Sequence, residues 1–406
     1  MSRRDQQLCL PTAILLCTML SAQLYGCDEG AGPQAPAPMA GVGSLEPEPG
    51  GEGSERLSTA GGALGGSAEP RGGAAELSGA EAGHDVGGEI AGEIAVETPP
   101  PLSFEERLVV GLPVGPDRSL YDCRAAEDWV APERDFGPRC VLDLSCERRM
   151  IVGHRGVGGD LGYLAPENSL SAIRAALLLG LDGVELDVRA SADYGLVVIH
   201  DSSVDRTTEG EGLVEEMSLA ELTALPLSPP ALSHPNIAPG DFSCERVPTL
   251  REALLLTRGR LFVDLDMKTS RVELVIPVLV ELGLLDEVYI SVSNPEVAAR
   301  ARALEPRVRV QVRPDSLEEL EALEPLFEGG RALEIIEVPS SQLELFRGAV
   351  EERGARLFTD AWGADLRGAM GSLEAYQELF ERGAHIIQCE LPLLALEALG
   401  RAPEQD

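Results

Sequence analysis

Between Ile151 and Asp201 three short apolar runs each carry or lead into residues able to do acid, base or metal chemistry. I-V-G precedes His154 and Arg155, G-V-E-L-D-V holds Glu185 and Asp187, and L-V-V-I precedes His200 and Asp201. Similar runs follow at 260–267, 287–292, 307–312, 334–338, 356–359 and 385–389, and the first begins at Met150. Between them lie amphipathic, helix-like segments such as Ser169–Leu179, Val297–Leu304 and Ser341–Arg353. This alternation predicts an α/β fold with a parallel sheet, a TIM (β/α)8 barrel. The candidate strands exceed by one what such a barrel needs, so one is surplus or only starts the ring. In a barrel of parallel strands all C-terminal ends open on one rim, and polar residues there converge in space however far apart in sequence. Two imidazoles and two carboxylates would then surround one pocket. A proline-rich insertion over 206–249 follows the third strand, and on that rim it would cover or shape the pocket.

What precedes residue 150 is of another kind. Residues 1–27 read as an export signal: Arg3-Arg4, an apolar run too short to span a membrane, then Leu24-Tyr25-Gly26-Cys27. That ending resembles the lipobox of bacterial lipoproteins, which implies lipidation at Cys27 and an exported protein anchored to a membrane of the cell envelope. Residues 28–104, mostly Gly, Ala, Pro, Glu and Ser, hold too little apolar surface to offset their ordering entropy and predict a disordered tether. A lead-in over 105–149 carries Cys123, Cys140 and Cys146. In an oxidising compartment these would pair among themselves and with Cys244. Cys123 with Cys140 and Cys146 with Cys244 is one scheme among several that spacing does not rank. Cys389, inside an apolar run, is expected to stay a free, buried thiol. The net charge of −35 argues against a nucleic-acid partner and favours hard cations as company. No obligate protein partner is inferred.

The segment from 150 to 400 resembles the glycerophosphodiester phosphodiesterase family. His154-Arg155-Gly156 is similar to its H-R-G, Pro166-Glu167-Asn168-Ser169 to its P-E-N-T, Glu185-Leu186-Asp187 to its E-x-D and His200-Asp201 to its H-D. Arg206-Thr207-Thr208 resembles R-T-T, Pro248-Thr249-Leu250 a family turn, and Asp266-Met267-Lys268 the family's E-I-K. The resemblance implies a TIM barrel that hydrolyses glycerophosphodiesters to an alcohol and glycerol 3-phosphate with a divalent cation. It implies a substrate hydroxyl that attacks phosphorus first, giving a cyclic phosphate that water then opens. By position, Glu185, Asp187 and Asp266 would hold the metal, His154 and His200 would be acid and base, and Arg155 and Lys268 would face the phosphate.

The chemistry supports those roles independently. An anionic phosphodiester needs positive charge on its non-bridging oxygens, a base for the nucleophile and an acid for the leaving oxygen. Glu185 and Asp187, two apart on a strand, share a face, and with Asp266 supply hard oxygens suited to calcium or magnesium. Asp266 stands where the resemblance has glutamate, and Asp264, on the same face, is the alternative ligand. Glu167 and Asn168 are expected to cap the helix near Ser169 and brace the metal's surroundings. His84, His234 and His385 are read as incidental. Late in the chain Phe358-Thr359-Asp360-Ala361 replaces W-T-V-N and Cys389-Glu390-Leu391-Pro392 replaces T-D-x-P, positions assigned to the leaving-group pocket. Two rival readings stand beside the phosphodiesterase: a phospholipase-D-like barrel acting on lysophospholipid or sphingolipid, and a non-catalytic binding lipoprotein.

Overall fold

The computed structural model describes residues 108–134, 137–292, 294–327 and 333–403. The signal, with Cys27, the tether and the first residues of the lead-in lie outside them. The strands are β1 Met150–Gly153, β2 Gly183–Ala190, β3 Leu196–Val198, β4 Phe262–Met267, β5 Val288–Ser291, β6 Arg309–Val312, β7 Ile335–Glu337, β8 Arg356–Asp360 and β9 Ile386–Cys389. All but β3 pair in parallel around a closed ring, β1-β2-β4-β5-β6-β7-β8-β9, and β9 returns to β1. The chain is a TIM barrel.

The surplus strand is the third. β3 runs antiparallel to β2, with Val188 opposite Val198 and Ala190 opposite Leu196, and among the described residues its other edge makes only an isolated bridge, Val197 to Thr249. The insertion therefore follows the third strand of the chain but not a strand of the ring. β2 overshoots the rim, turns through Ser191–Gly195 and comes back. A connection of five residues allows a hairpin, whereas a parallel crossover needs a dozen or so. The turn is closed by Ser191, whose N–H donates to the Gly195 carbonyl at 2.9 Å and whose Oγ accepts from the Gly195 N–H at 2.8 Å.

The helices are α1 Leu170–Leu179, α2 Leu219–Leu222, α3 Leu250–Thr257, α4 Val272–Leu282, α5 Pro295–Leu304, α6 Leu317–Leu323, α7 Leu343–Glu352, α8 Trp362–Ala369, α9 Glu374–Glu381 and α10 Pro392–Ala398. α1 starts where the Ser169 side chain accepts the Ala172 N–H and ends at Gly180 in the left-handed region. α3 opens on a capping box between Thr249 and Glu252. Among the described residues no helix is long and apolar enough to cross a membrane.

Side chains pointing into the ring close its floor: Met150, Val152, Phe262, Tyr289, Ile335, Phe358 and Ile386 form one buried cluster, joined from below by Val141 of the lead-in. The outward-facing residues of the same strands pack on the helices in a second, larger core. Burying each such side chain contributes about 1.5–3 kcal/mol. With the floor filled, the inside of the ring is a packed core, and the strand ends open on the upper rim.

The disulfides differ from the scheme written above. Cys123 bonds to Cys244 and Cys140 to Cys146, while Cys389 is free and buried as expected. The lead-in divides its work. Its first part lies on the insertion, where the Cys123 N–H donates to the Asp241 carbonyl at 2.8 Å and the Asp241 N–H to Asp122 at 2.9 Å. Its second part lies under the floor, where Arg356 gathers the carbonyls of Cys140 and Cys146, each at 3.1 Å. Each part thus pairs its cysteine with the nearest one in its own neighbourhood.

Candidate active site

β1 delivers His154 and Arg155 to the rim through a tight turn. Arg155 (φ 48°) and Gly156 (φ 101°) are both left-handed, and a Cβ on Gly156 would come within 2.6 Å of the Ala172 Cβ. Glycine at 156 lets the turn close against α1. The turn hangs on Glu185: its Oε2 accepts the Arg155 N–H at 2.8 Å, and the Glu185 carbonyl accepts the Gly156 N–H at 3.1 Å.

The β2–β4 register sets Asp187 beside Asp266 and Glu185 beside Asp264. Carboxylate oxygens of Glu185, Asp187 and Asp266 lie within 4.8 Å of one another, which makes these three a candidate metal centre. Asp264 stays outside it. It sits one layer deeper, where its short arm meets the Gln311 amide at 3.1 Å, while the extra methylene of Glu185 lifts that carboxylate towards the level of Asp187. The donor set fits a hard divalent cation: three carboxylates, no thiolate, and an oxygen, Asp187 Oδ1, that is buried and accepts no hydrogen bond.

Electrostatics separates the three. Burial and the charge of Asp187 push the Glu185 carboxyl well above its usual range. For Asp187 burial works the same way, but Lys268, His200 and Arg155 outweigh it and hold the group down at about 2. Lys268 Nζ lies 3.0 Å from Asp266 Oδ2 and 3.3 Å from Asp187 Oδ1. It is the only lysine in the chain; the other basic residues are all arginine. A compact, strongly hydrated ammonium therefore stands between two of the three carboxylates.

The two histidines reach the rim by different routes. His154 comes at the end of a ring strand; His200 comes two residues past the returning β3, and the Ile199 N–H between them donates to the Asp187 carbonyl at 3.0 Å. Each ring is held at Nδ1 by a carboxylate. His200 Nδ1 is 2.7 Å from Asp201 Oδ1, and His154 Nδ1 bonds to Glu390. Nε2 of each is left for chemistry, and His154 Nε2 is 3.9 Å from Glu185 Oε2. Burial works against charging His154, but the attraction and hydrogen bond of Glu390 prevail and raise it to about 10.

Glu390 was read from sequence only as part of the leaving-group pocket; here it orients a histidine, and the N–H groups of Gly159 and Leu161, each at 2.9 Å, fix its other oxygen. Its position just past a ring strand was the available signal. Arg313, just past β6, was not singled out at all. Its Nη2 lies 3.7 Å from Asp266 Oδ2 and its Nε bonds to Glu337. Ser169, not Glu167 or Asn168, caps α1. Asn168 (φ 55°) instead donates to Asp187 Oδ2 at 2.8 Å and accepts the Asp187 N–H at 3.2 Å, and Glu167 bridges Arg155 and Arg206. Arg155 is thus turned towards Glu167 and Asp187. His234 and His385 serve the backbone, bonding Leu112 O and the Leu357 N–H.

Residues 154–318 match the Glycerophosphoryl diester phosphodiesterase family. A glycerophosphodiester phosphodiesterase of Caldanaerobacter subterraneus subsp. tengcongensis is 33% identical over 171 residues, 40% of this chain and 65% of the relative. Glycerophosphodiester phosphodiesterase 1 of Bos taurus is 43% identical over 108 residues, 27% of this chain and 30% of the relative. The chain thus spans less than two thirds of either relative's length. The crystal structure of a glycerophosphodiester phosphodiesterase from Agrobacterium tumefaciens superposes with a TM-score of 0.51 at 25% identity, covering 62% of this chain and all of that one. A glycerophosphoryl diester phosphodiesterase from Parabacteroides distasonis, at 22% identity, shares the fold with a TM-score of 0.52 over 66% of this chain and 94% of its own.

Proposed function

We propose, from the premise that this barrel belongs to the glycerophosphoryl diester phosphodiesterase family, that the protein hydrolyses glycerophosphodiesters to an alcohol and glycerol 3-phosphate. The observation that carries the reading is the pairing of two carboxylate-backed histidines with one acidic trio on a single rim. Glu185, Asp187 and Asp266 would hold a divalent cation, calcium or magnesium, which when bound supplies positive charge to the phosphate oxygens. One histidine accepts the proton of the attacking hydroxyl through Nε2, and the other donates one to the leaving oxygen. With Nδ1 engaged by carboxylate, each ring keeps one orientation through both transfers. Lys268, Arg313 and Arg155 add positive charge around the same carboxylates.

A place in the cell envelope goes with this function. Disulfides persist in oxidising compartments, and two are present among the described residues. The L-Y-G-C ending at Cys27 supplies the anchor in this reading, and 28–104 the tether. Labelled palmitate incorporated by the wild type but not by Cys27→Ser is the result expected for lipidation.

The test of the activity is a head-group panel with the purified protein, glycerophosphocholine and lysophosphatidylcholine side by side, with calcium, magnesium or manganese and with chelator. Cation-dependent release of glycerol 3-phosphate from the small substrate is expected. Turnover of the lysolipid alone moves the protein to the phospholipase-D-like reading, and no turnover to the binding lipoprotein.

A further inference from the structure

Beside the acidic trio, between the β2–β3 hairpin, the insertion and the loop after β4, lies a cavity of about 130 Å³. Lys268 is its wall towards the trio, and Arg189, Arg271, Ser202, Thr269 and Glu215 supply its other polar groups. Lys268 is already paired with Asp187 and Asp266, which leaves two arginines facing one carboxylate, the solvent-exposed Glu215. In a chain of net charge −35 this local balance is inverted.

The arginines are placed rather than spent. Among the described residues neither Arg189 nor Arg271 forms an ion pair, unlike Arg155, Arg206 and Arg313 around the same rim. Arg189 is fixed by neutral acceptors, donating through Nε to the His200 carbonyl at 2.8 Å and through Nη1 to the Lys268 carbonyl at 3.4 Å. Arg271 lies over the Tyr194 ring, 4.8 Å from its centroid. Stacking holds a guanidinium in position without neutralising it. No aromatic ring lines the cavity to receive a quaternary ammonium among the described residues. Arg forks match phosphate and carboxylate oxygens.

We propose that this cavity binds a second anionic group of the substrate, a phosphate or carboxylate set a few atoms from the scissile phosphate, so that the preferred glycerophosphodiester carries an anionic rather than a cationic head. The proposal rests on the phosphodiesterase reading and deepens it.

The experiment compares glycerophosphoglycerol, its terminal phosphate ester and glycerophosphocholine for the wild type and Arg271→Gln. The phosphate ester should be preferred, and R271Q should lower kcat/KM for it about tenfold, the worth of a charge-assisted hydrogen bond, while leaving the neutral substrate unchanged. Equal use of the three substrates, or an equal loss on all of them in R271Q, overturns the proposal. A parallel titration separates it from the activity itself: 1,3-propanediol bisphosphate should bind the wild type about tenfold more tightly than propanol phosphate, and R271Q should erase the difference. If no substrate turns over, the activity reading fails, yet equal affinity for the two ligands still sinks the cavity assignment and unequal affinity still supports it.

Discussion

His154 and Glu390, 236 residues apart, are hydrogen-bonded across the seam where β1 meets β9 and the barrel closes. Closure of the ring is therefore what gives His154 its carboxylate. The contact fixes which nitrogen faces the rim, because Nδ1 is committed to Glu390. Glu390→Gln keeps the size of the side chain but removes its charge, and its amide can present a donor to Nδ1. Loss of a correctly held acid or base costs about 10²–10⁴-fold in rate. We expect kcat to fall at least about 100-fold with KM little changed, Glu390→Asp to recover part of it, and the imidazole nitrogen shifts of His154 to report the altered tautomer. A fall in KM and kcat together with normal His154 signals would show that Glu390 does not act through the ring.

The same pair makes stability depend on pH. His154 is raised to about 10, so its contribution is complete below its ordinary value near 6.5 and is lost as pH rises towards 10. Glu390 is lowered by His154 against the opposing effect of burial, so its contribution is present above about 4.5 and fades in acid. In chelator, urea denaturation should therefore show stability falling between pH 6.5 and 10, by no more than about 1.4 kcal/mol per pH unit for one proton. In E390Q that alkaline slope should flatten. A slope that survives the substitution unchanged assigns it to other groups.

Much of the site could be read from strand periodicity, because Glu185 and Asp187 share a face by parity and His154 ends an apolar run. Parity could not choose between Asp264 and Asp266, which face the same way; depth decides, and depth depends on the register with β2 and on side-chain length. His200 was placed on the rim for an incorrect reason. It arrives on a returning hairpin, and the five residues between β2 and β3 were the clue. Glu390 and the Cys123–Cys244 pair depend on how distant segments meet, which no local pattern encodes. Cys140 and Cys146 are close in sequence, and the turn between them is held by Arg356, which donates to both carbonyls from more than 200 residues away.

Lys268 offers a direct view of the acidic trio. Being the only lysine, it is the only side-chain amine available to reductive methylation. Its ammonium now bridges Asp266 and Asp187, which hold it above its usual range although burial opposes the charge. A cation bound by Glu185, Asp187 and Asp266 would compete for those oxygens, so the labelled methyl resonance should move when calcium or magnesium is added and return with chelator. Asp266→Asn should abolish the response and Asp264→Asn should leave it. If the signal ignores both cations, the trio is not their site.

The disulfides should differ in what they stabilise. Cys123–Cys244 closes a span of 121 residues and Cys140–Cys146 a span of 6. In the chain-entropy account these are worth about 5 and about 2 kcal/mol respectively. The long one also ties the lead-in to the end of the insertion, next to Glu245, which accepts from Ser171 and Arg174 of α1. Cys244→Ser should thus lower the denaturation midpoint more than Cys146→Ser, and hydrogen exchange should quicken over the insertion in the first variant and under the barrel floor in the second. Equal destabilisation by the two, or exchange unaltered over 206–249 in C244S, would mean that the insertion is held by its own small core of Val197, Ile199, Val204, Val214, Leu222 and Val247 and not by the bond.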